Sequence, residues 1–146
     1  MLKDRMNLLS SFADGSTPPK DLIGLSLRDI EALAQLAAAA MVAKRFDQAR
    51  RVFDALAALD PGEHRHLLHL AYACAGASDV AATRDAVDRL VGLDAQIPAD
   101  DLARALLLRA EAVAASDRDQ AERDMVAVRV LAERSPSARK VMEGAR

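Results

Sequence analysis

At 146 residues the chain has the length of a single domain and enough material for a buried core. Its 20 basic and 22 acidic residues are interleaved to a net charge of −2, with three Phe, one Tyr and no Trp. That composition excludes the basic stripe with stacking aromatics that nucleic acid would need, and the lone Cys74 excludes an internal disulfide framework. The longest apolar stretch, Ala32–Ala43, is too short for a bilayer, and the opening MLKDRMNLL lacks the long apolar region of a secretory signal. With 32 alanines and no alternating apolar run, the expectation is an all-α protein of the cytoplasm that neither enters a membrane nor binds nucleic acid.

Residues 2–12 predict a short helix, with Leu2, Met6 and Leu9 on one face and Leu8 and Phe12 at its edges. Such a helix is marginal alone and needs a surface, either on its own chain or on a partner. The stretch Ala13–Lys20, with Gly15 and Pro18-Pro19, breaks it. The chain therefore divides into an N-terminal segment, 1–25, and a helical domain, 26–146.

Ser26 starts the first long helix, with Asp29 completing a variant capping box, and the helix should run to about Ala43. A second helix covers Phe46–Leu59 and stops at Asp60-Pro61, because the residue before proline is pushed out of the helical region. A third covers Glu63–Ala75 and ends at Gly76, a candidate left-handed cap. Ser78 or Asp79 caps a fourth, to about Leu93. Pro98 lengthens the next connection before a fifth helix over Ala99–Ala115. Ser116 or Asp117 caps a sixth, Asp117–Glu133, and Ser135-Pro136 opens a short last one, Ser137–Glu143.

The pattern of residues 30–63 returns 34 residues later. Leu33, Leu36, Ala37 and Ala40 are answered by Leu67, Leu70, Ala71 and Cys74; Phe53, Leu56 and Leu59 are answered by Val87, Leu90 and Leu93. In the third unit Asp119-Gln120-Ala121 matches Asp47-Gln48-Ala49 at an offset of 72. On that offset Met125 answers Phe53, and Arg109 falls where the pattern wants a small residue. A 34-residue helix–turn–helix period resembles the tetratricopeptide repeat, with Leu33 at the usual Trp site, Phe46 at the aromatic site after the turn, Ala49 at the helix crossing and Pro61 at the terminal Pro. The resemblance implies an α-solenoid of three antiparallel pairs with short additions at each end.

The run Ala43–Pro61, AKRFDQARRVFDALAALDP, is similar to a stretch of the small tetratricopeptide-like chaperones of bacterial type III secretion. Their members bind a secreted needle or translocator subunit and keep it from polymerising. The resemblance implies that activity here: a non-enzymatic chaperone without a cofactor, whose partner is an apolar or amphipathic segment of a secreted subunit. The alternative is a general tetratricopeptide scaffold joining two folded partners, and a homodimer is compatible with either.

In stacked units of this kind the first helix of each pair lines the concave face. The mapped positions are Glu31, Ala34, Ala38, Met41 and Val42 from unit one, then Arg65, Leu68, Tyr72 and Ala75 from unit two. Unit three supplies Ala103, Leu106, Ala110, Val113 and Ala114. Such a groove is mostly apolar and suits an amphipathic helix or extended segment. Unless helices close it as ordinary core, something should cover it.

His64, His66 and His69 lack the spacing or the cysteines of a metal site and read as solvated helix residues. Cys74 sits where unit one has Ala40 and reads as a small buried hydrophobe. Asp100-Asp101 and Asp117/Asp119 read as helix-start charges rather than catalytic pairs, and no Gly-rich phosphate loop is present.

Overall fold

The structure, a computed structural model, describes residues 24–93 and 96–145. The helix expected over 2–12 lies outside them. The described residues form seven helices and no strand: α1 (Leu27–Val42), α2 (Phe46–Leu59), α3 (His64–Gly76), α4 (Val80–Val91), α5 (Ala99–Val113), α6 (Arg118–Arg134) and α7 (Pro136–Gly144). Each helix packs against its neighbour in sequence, α5 also touches α3, and α7 folds back onto both α5 and α6. These are successive antiparallel pairs, α1/α2, α3/α4 and α5/α6, closed by α7.

The boundaries follow from capping. The Ser26 hydroxyl accepts the Asp29 N–H at 3.2 Å, and Asp29 Oδ2 accepts the Ser26 N–H at 2.9 Å, a full capping box for α1. Glu63, Asp79, Asp117 and Ser135 cap α3, α4, α6 and α7. Gly76 is not the left-handed residue expected: it is the last residue of α3, and the positive φ falls on Ser78 (58°), as it does on Lys44 (57°) one period earlier. Gly76 is needed for another reason, since a Cβ there would collide with the Phe46 ring.

Four of these helix starts carry carboxylates held below their usual range. The Ser26 hydroxyl lowers Asp29; the Arg65 guanidinium brings Glu63 to about 2; the Ala82 N–H, then Arg50, lowers Asp79; the Gln120 N–H lowers Asp117. Their pKa values are depressed on folding, so the stability they supply is complete above the ordinary values of 3.8 and 4.5 and is lost as pH falls toward about 2. The thermal midpoint is expected to decline steeply below about pH 4.5. Asp79→Asn with Asp117→Asn should keep both caps and flatten the decline, because Asn caps equally well without titrating. Acid unfolding indifferent to those two changes would refute the assignment.

The core runs along the interior of the stack. Ile30, Ala37, Ala49, Phe53, Leu56, Leu67, Leu70, Ala71, Cys74, Val87 and Leu90 join α1 to α4, and Ala105 ties α5 onto them. A second cluster of Ala103, Leu106, Val128 and Ala138 joins α5, α6 and α7, with Leu102 packed against both. Cys74 is buried, as its place in the repeat predicts, and burial pushes its thiol up.

The third unit is shifted from its predicted register. Leu67 is matched in burial by Leu106, with the half-buried Leu33 at the same place in unit one, Ala37 and Ala71 by Ala110, and Ala40 and Cys74 by Val113. The first helix of the third unit therefore runs at an offset of 73 from unit one (33 to 106, 37 to 110), not 72. The small residue belongs at Ala110, and Arg109 takes the preceding place, that of Leu36 and Leu70. In α6 the fully buried pair is Asp124 and Val128, corresponding to Ala49/Phe53 in α2 and Thr83/Val87 in α4. Met125, expected to answer Phe53, is only half-buried.

Candidate functional site

The surface between α3, α5 and α7 opens into a cleft of about 580 Å³. Tyr72 forms one wall, Leu107 and Leu108 of α5 the floor, and Lys140 and Val141 of α7 the far side, with Asp100, Arg104 and Glu111 at the edges. On α3 Tyr72 is half-buried between the buried Ala71 and Ala73. Its half-buried ring raises its hydroxyl pKa through burial, so the phenol stays neutral at physiological pH. A smaller hollow of about 290 Å³ adjoins it, with Ala75 and Thr83 facing the same Leu108 and Glu111. On the other side of α7, Leu107, Ala110, Ala114, Ala121, Met125 and Met142 line a further cleft of about 790 Å³.

The electrostatics of the α3–α5 wall are paired rather than one-signed. Arg104 is clamped by Asp100 at 3.1 Å and Asp101 at 2.9 Å. His64 Nε2 lies 2.8 Å from the other Asp101 oxygen, and Arg65 holds Glu63 at 2.9 Å. These contacts stiffen the entrance without making it an anion or cation trap.

Of the fourteen positions mapped onto a groove from the sequence, Tyr72 and Ala75 come together at the first two of these hollows. Ala38 and Val42 are exposed on α1, and Ala34 and Met41 are half-buried beside the core. Leu68 and Val113 do not face outward: they are 4% and 0% exposed, inside the stack. Leu106 is interior too, and Ala110, 5% exposed, reaches only the cleft flanked by α6. The reason is the one-residue register shift, which turns Leu106, Ala110 and Val113 onto the packing face and brings Arg104, Leu107, Leu108 and Glu111 outward instead. Those four were missed, and with them the charged rim of the cleft. The signal was present: Arg109 at a site demanding a small residue marked the offset as wrong by one, and Ala110 beside it restores the series Ala37, Ala71, Ala110.

Two further expectations change. Leu36, placed at a packing site, is 55% exposed. The histidines are not all solvated: His66 is buried, His64 is half-buried against Asp101, and the His69 ring lies 5.1 Å from that of Phe53. Partial burial lowers the His69 pKa, favouring the neutral ring. Among the described residues no group of three or more His, Cys, Asp or Glu side chains is arranged to hold a metal ion, and no helix is long and apolar enough to cross a membrane.

Comparison with known proteins places the fold. No family model and no curated protein sequence matches the chain. The structure is similar to that of PcrH, solved in complex with the chaperone binding region of PopB, with a TM-score of 0.73 and 24% identity over 84% of this chain and 95% of that one. It is also similar to SycD, a type III secretion translocator chaperone of Yersinia enterocolitica, with a TM-score of 0.66 and 18% identity over 80% of this chain and 82% of that one. The chain has the tetratricopeptide-type fold of these two proteins.

Proposed function

We propose that the protein is a non-enzymatic cytoplasmic chaperone of a type III secretion system, and that its client is a secreted translocator subunit. The observation that carries this reading is the cleft between α3, α5 and α7 in a fold shared with PcrH, which was solved with a chaperone-binding segment of PopB. The apolar floor of Leu107 and Leu108, the Tyr72 wall, the Val141 and Lys140 far side and the edge of Arg104 and Glu111 match an extended or amphipathic segment. Apolar side chains would enter the floor while the segment's polar groups meet the rim. Ala38, which stands on α1 where Tyr72 stands on α3, would extend the same surface. A translocator client is favoured over a needle subunit because SycD, one of the two similar structures, is a translocator chaperone.

The test is co-expression with candidate secreted subunits encoded nearby, followed by pull-down and a solubility assay. The wild-type chain should keep one client soluble and co-purify with it. Tyr72→Ala and Ala38→Asp should each weaken capture by about 30-fold, the effect of losing a central contact of about 2 kcal/mol, with helicity and thermal midpoint unchanged. A client captured equally well by both variants would remove the groove from the mechanism. A folded partner that binds without any change in its solubility would favour a scaffold instead.

A further inference from the structure

The first helices of the three pairs share one row of equivalent positions. Ala38 of α1 and Tyr72 of α3 are one 34-residue period apart, and the offset of 73 that fits α5 carries Ala38 to Glu111. The row therefore reads small, aromatic, acidic. Glu111 is exposed, and it lines the cleft between α3, α5 and α7, the hollow beside Ala75 and Thr83, and the cleft on the other side of α7. The other carboxylates on these three hollows are Asp79, Asp100 and Glu122, and each is engaged within the chain. Asp79 meets Arg50 at 3.1 Å, Asp100 meets Arg104 at 3.1 Å, and Glu122 meets Arg118 at 2.9 Å. Glu111 has no hydrogen bond or ion pair among the described residues. One turn away on its own helix stand Leu107, Leu108, Ala114 and Ala115, none of which can answer its charge.

From this row we infer that Glu111 selects a client segment carrying a lysine or arginine beside its apolar residues. This selection rests on the chaperone reading above and adds to it the sign of the charge recognised. A segment that covers Leu107 and Leu108 also takes water from the Glu111 carboxylate. Without a cation in the segment that loss goes unanswered. With one, the carboxylate gains a charge-assisted hydrogen bond in a setting drier than the open surface. The Tyr72 ring in the same cleft offers the aliphatic stem of that residue an apolar wall. An acidic residue at the same place would meet like charge and be rejected. Lys140, on the far wall, is the other charge at this cleft with no partner among the described residues, and it forms no ion pair with Glu111. A basic group is therefore received on the α3–α5 side, away from α7.

Peptide binding to the full chain tests it, with a probe of about 15 residues, near the shortest length that holds a helix in water. The probe is built of Leu, Ala and Gln, and its central position is Lys, Gln or Glu. The wild-type chain should bind the Lys form about tenfold more tightly than the Gln form, and the Glu form most weakly. The difference should shrink in about 1 M salt. Glu111→Gln should bind the Lys and Gln forms equally, and Glu111→Lys should reverse the order, with helicity unchanged in both. Glu133→Lys makes the same change of charge at an exposed place on α6 outside the three hollows, and should keep the wild-type order. An order unchanged by Glu111→Lys, or reversed equally by Glu133→Lys, would overturn the assignment. So would wild-type binding that ignores the central residue or fails with all three probes; capture of a secreted subunit on co-expression would then leave the chaperone reading standing without it. A Lys preference in a chain that captures no secreted subunit would keep the basic-segment site and remove the secretion client.

Discussion

Replacing Arg109 by leucine is expected to cost about 3–5 kcal/mol of folding stability, measured as a lowered denaturant midpoint. The guanidinium is 9% exposed and grips Asp124 with two parallel bonds, Nε to Oδ2 at 2.8 Å and Nη2 to Oδ1 at 2.7 Å. Asp124 is itself 2% exposed. Asp124, with Asp88 adding to it, holds the arginine firmly charged against the desolvation that burial imposes. Without Arg109, a carboxylate stays in the interior with only the Gln120 amide, at 2.8 Å, to satisfy it. The cost is mostly that orphaned charge and only in small part the lost attraction. The double change Arg109→Leu with Asp124→Ala should therefore recover most of the loss. It recreates the chemistry of Leu70, at the corresponding place in unit two, and of Ala49 in unit one. Asp88→Ala should cost under about 1 kcal/mol, since its side chain is half in water. A single variant as stable as wild type, or a double variant as damaged as the single, would show that the pair is not a buried unit.

That pair also explains why the third unit was the least legible part of the sequence. The first two units obey one rule: leucine, small and small residues on the first helix, an aromatic or branched residue on the second, with a 34-residue step. Composition, capping signals and this periodicity were sufficient for helix type, for boundaries within a residue or two, and for the all-α stacked architecture. In the third unit a polar pair replaces two apolar contacts, so hydrophobic periodicity loses its anchor. Arg109 then looks like an error in a small-residue site, when it is a correct residue for the site facing the previous pair. A one-residue slip on a helix turns a side chain by about 100°, enough to exchange floor and core. Hence Leu106, Ala110 and Val113 were assigned to the groove while Leu107, Leu108 and Glu111 line the cleft between α3, α5 and α7. Leu68 was misplaced for a different reason: α3 is enclosed on more sides than α1, by α2, α4 and α5 together. Its buried arc is therefore wider than repeat equivalence with Ala34 suggests.

The same unequal construction predicts unequal sensitivity along the stack. Phe53→Ala should destabilise by about 3–5 kcal/mol, near the upper end for loss of a buried aromatic side chain. The Phe53 ring is 2% exposed, it belongs to the cluster that joins α1, α2 and α3, and it faces the His69 ring at 5.1 Å. Because Ala37, Ala49 and Ala71, all 0% exposed, already bring the backbones close, nothing nearby can move in to fill the space. Met125→Ala, which a strict 72-residue offset would make equivalent, should cost less than about 1 kcal/mol, since Met125 is half-buried on the wall of an open cleft. The corresponding core position in α6 is Val128, at 0% exposure, with Ala132 a turn beyond at 3%. Denaturant titrations of Phe53→Ala and Met125→Ala decide between the registers directly. Equal losses at the two sites would restore the 72-residue alignment for α6. A large loss at Phe53 with little at Met125 makes the first two units the stability core. The α5–α7 end, where the candidate client surface lies, is then the part of the stack with the smaller apolar core, free to carry polar groups chosen for binding.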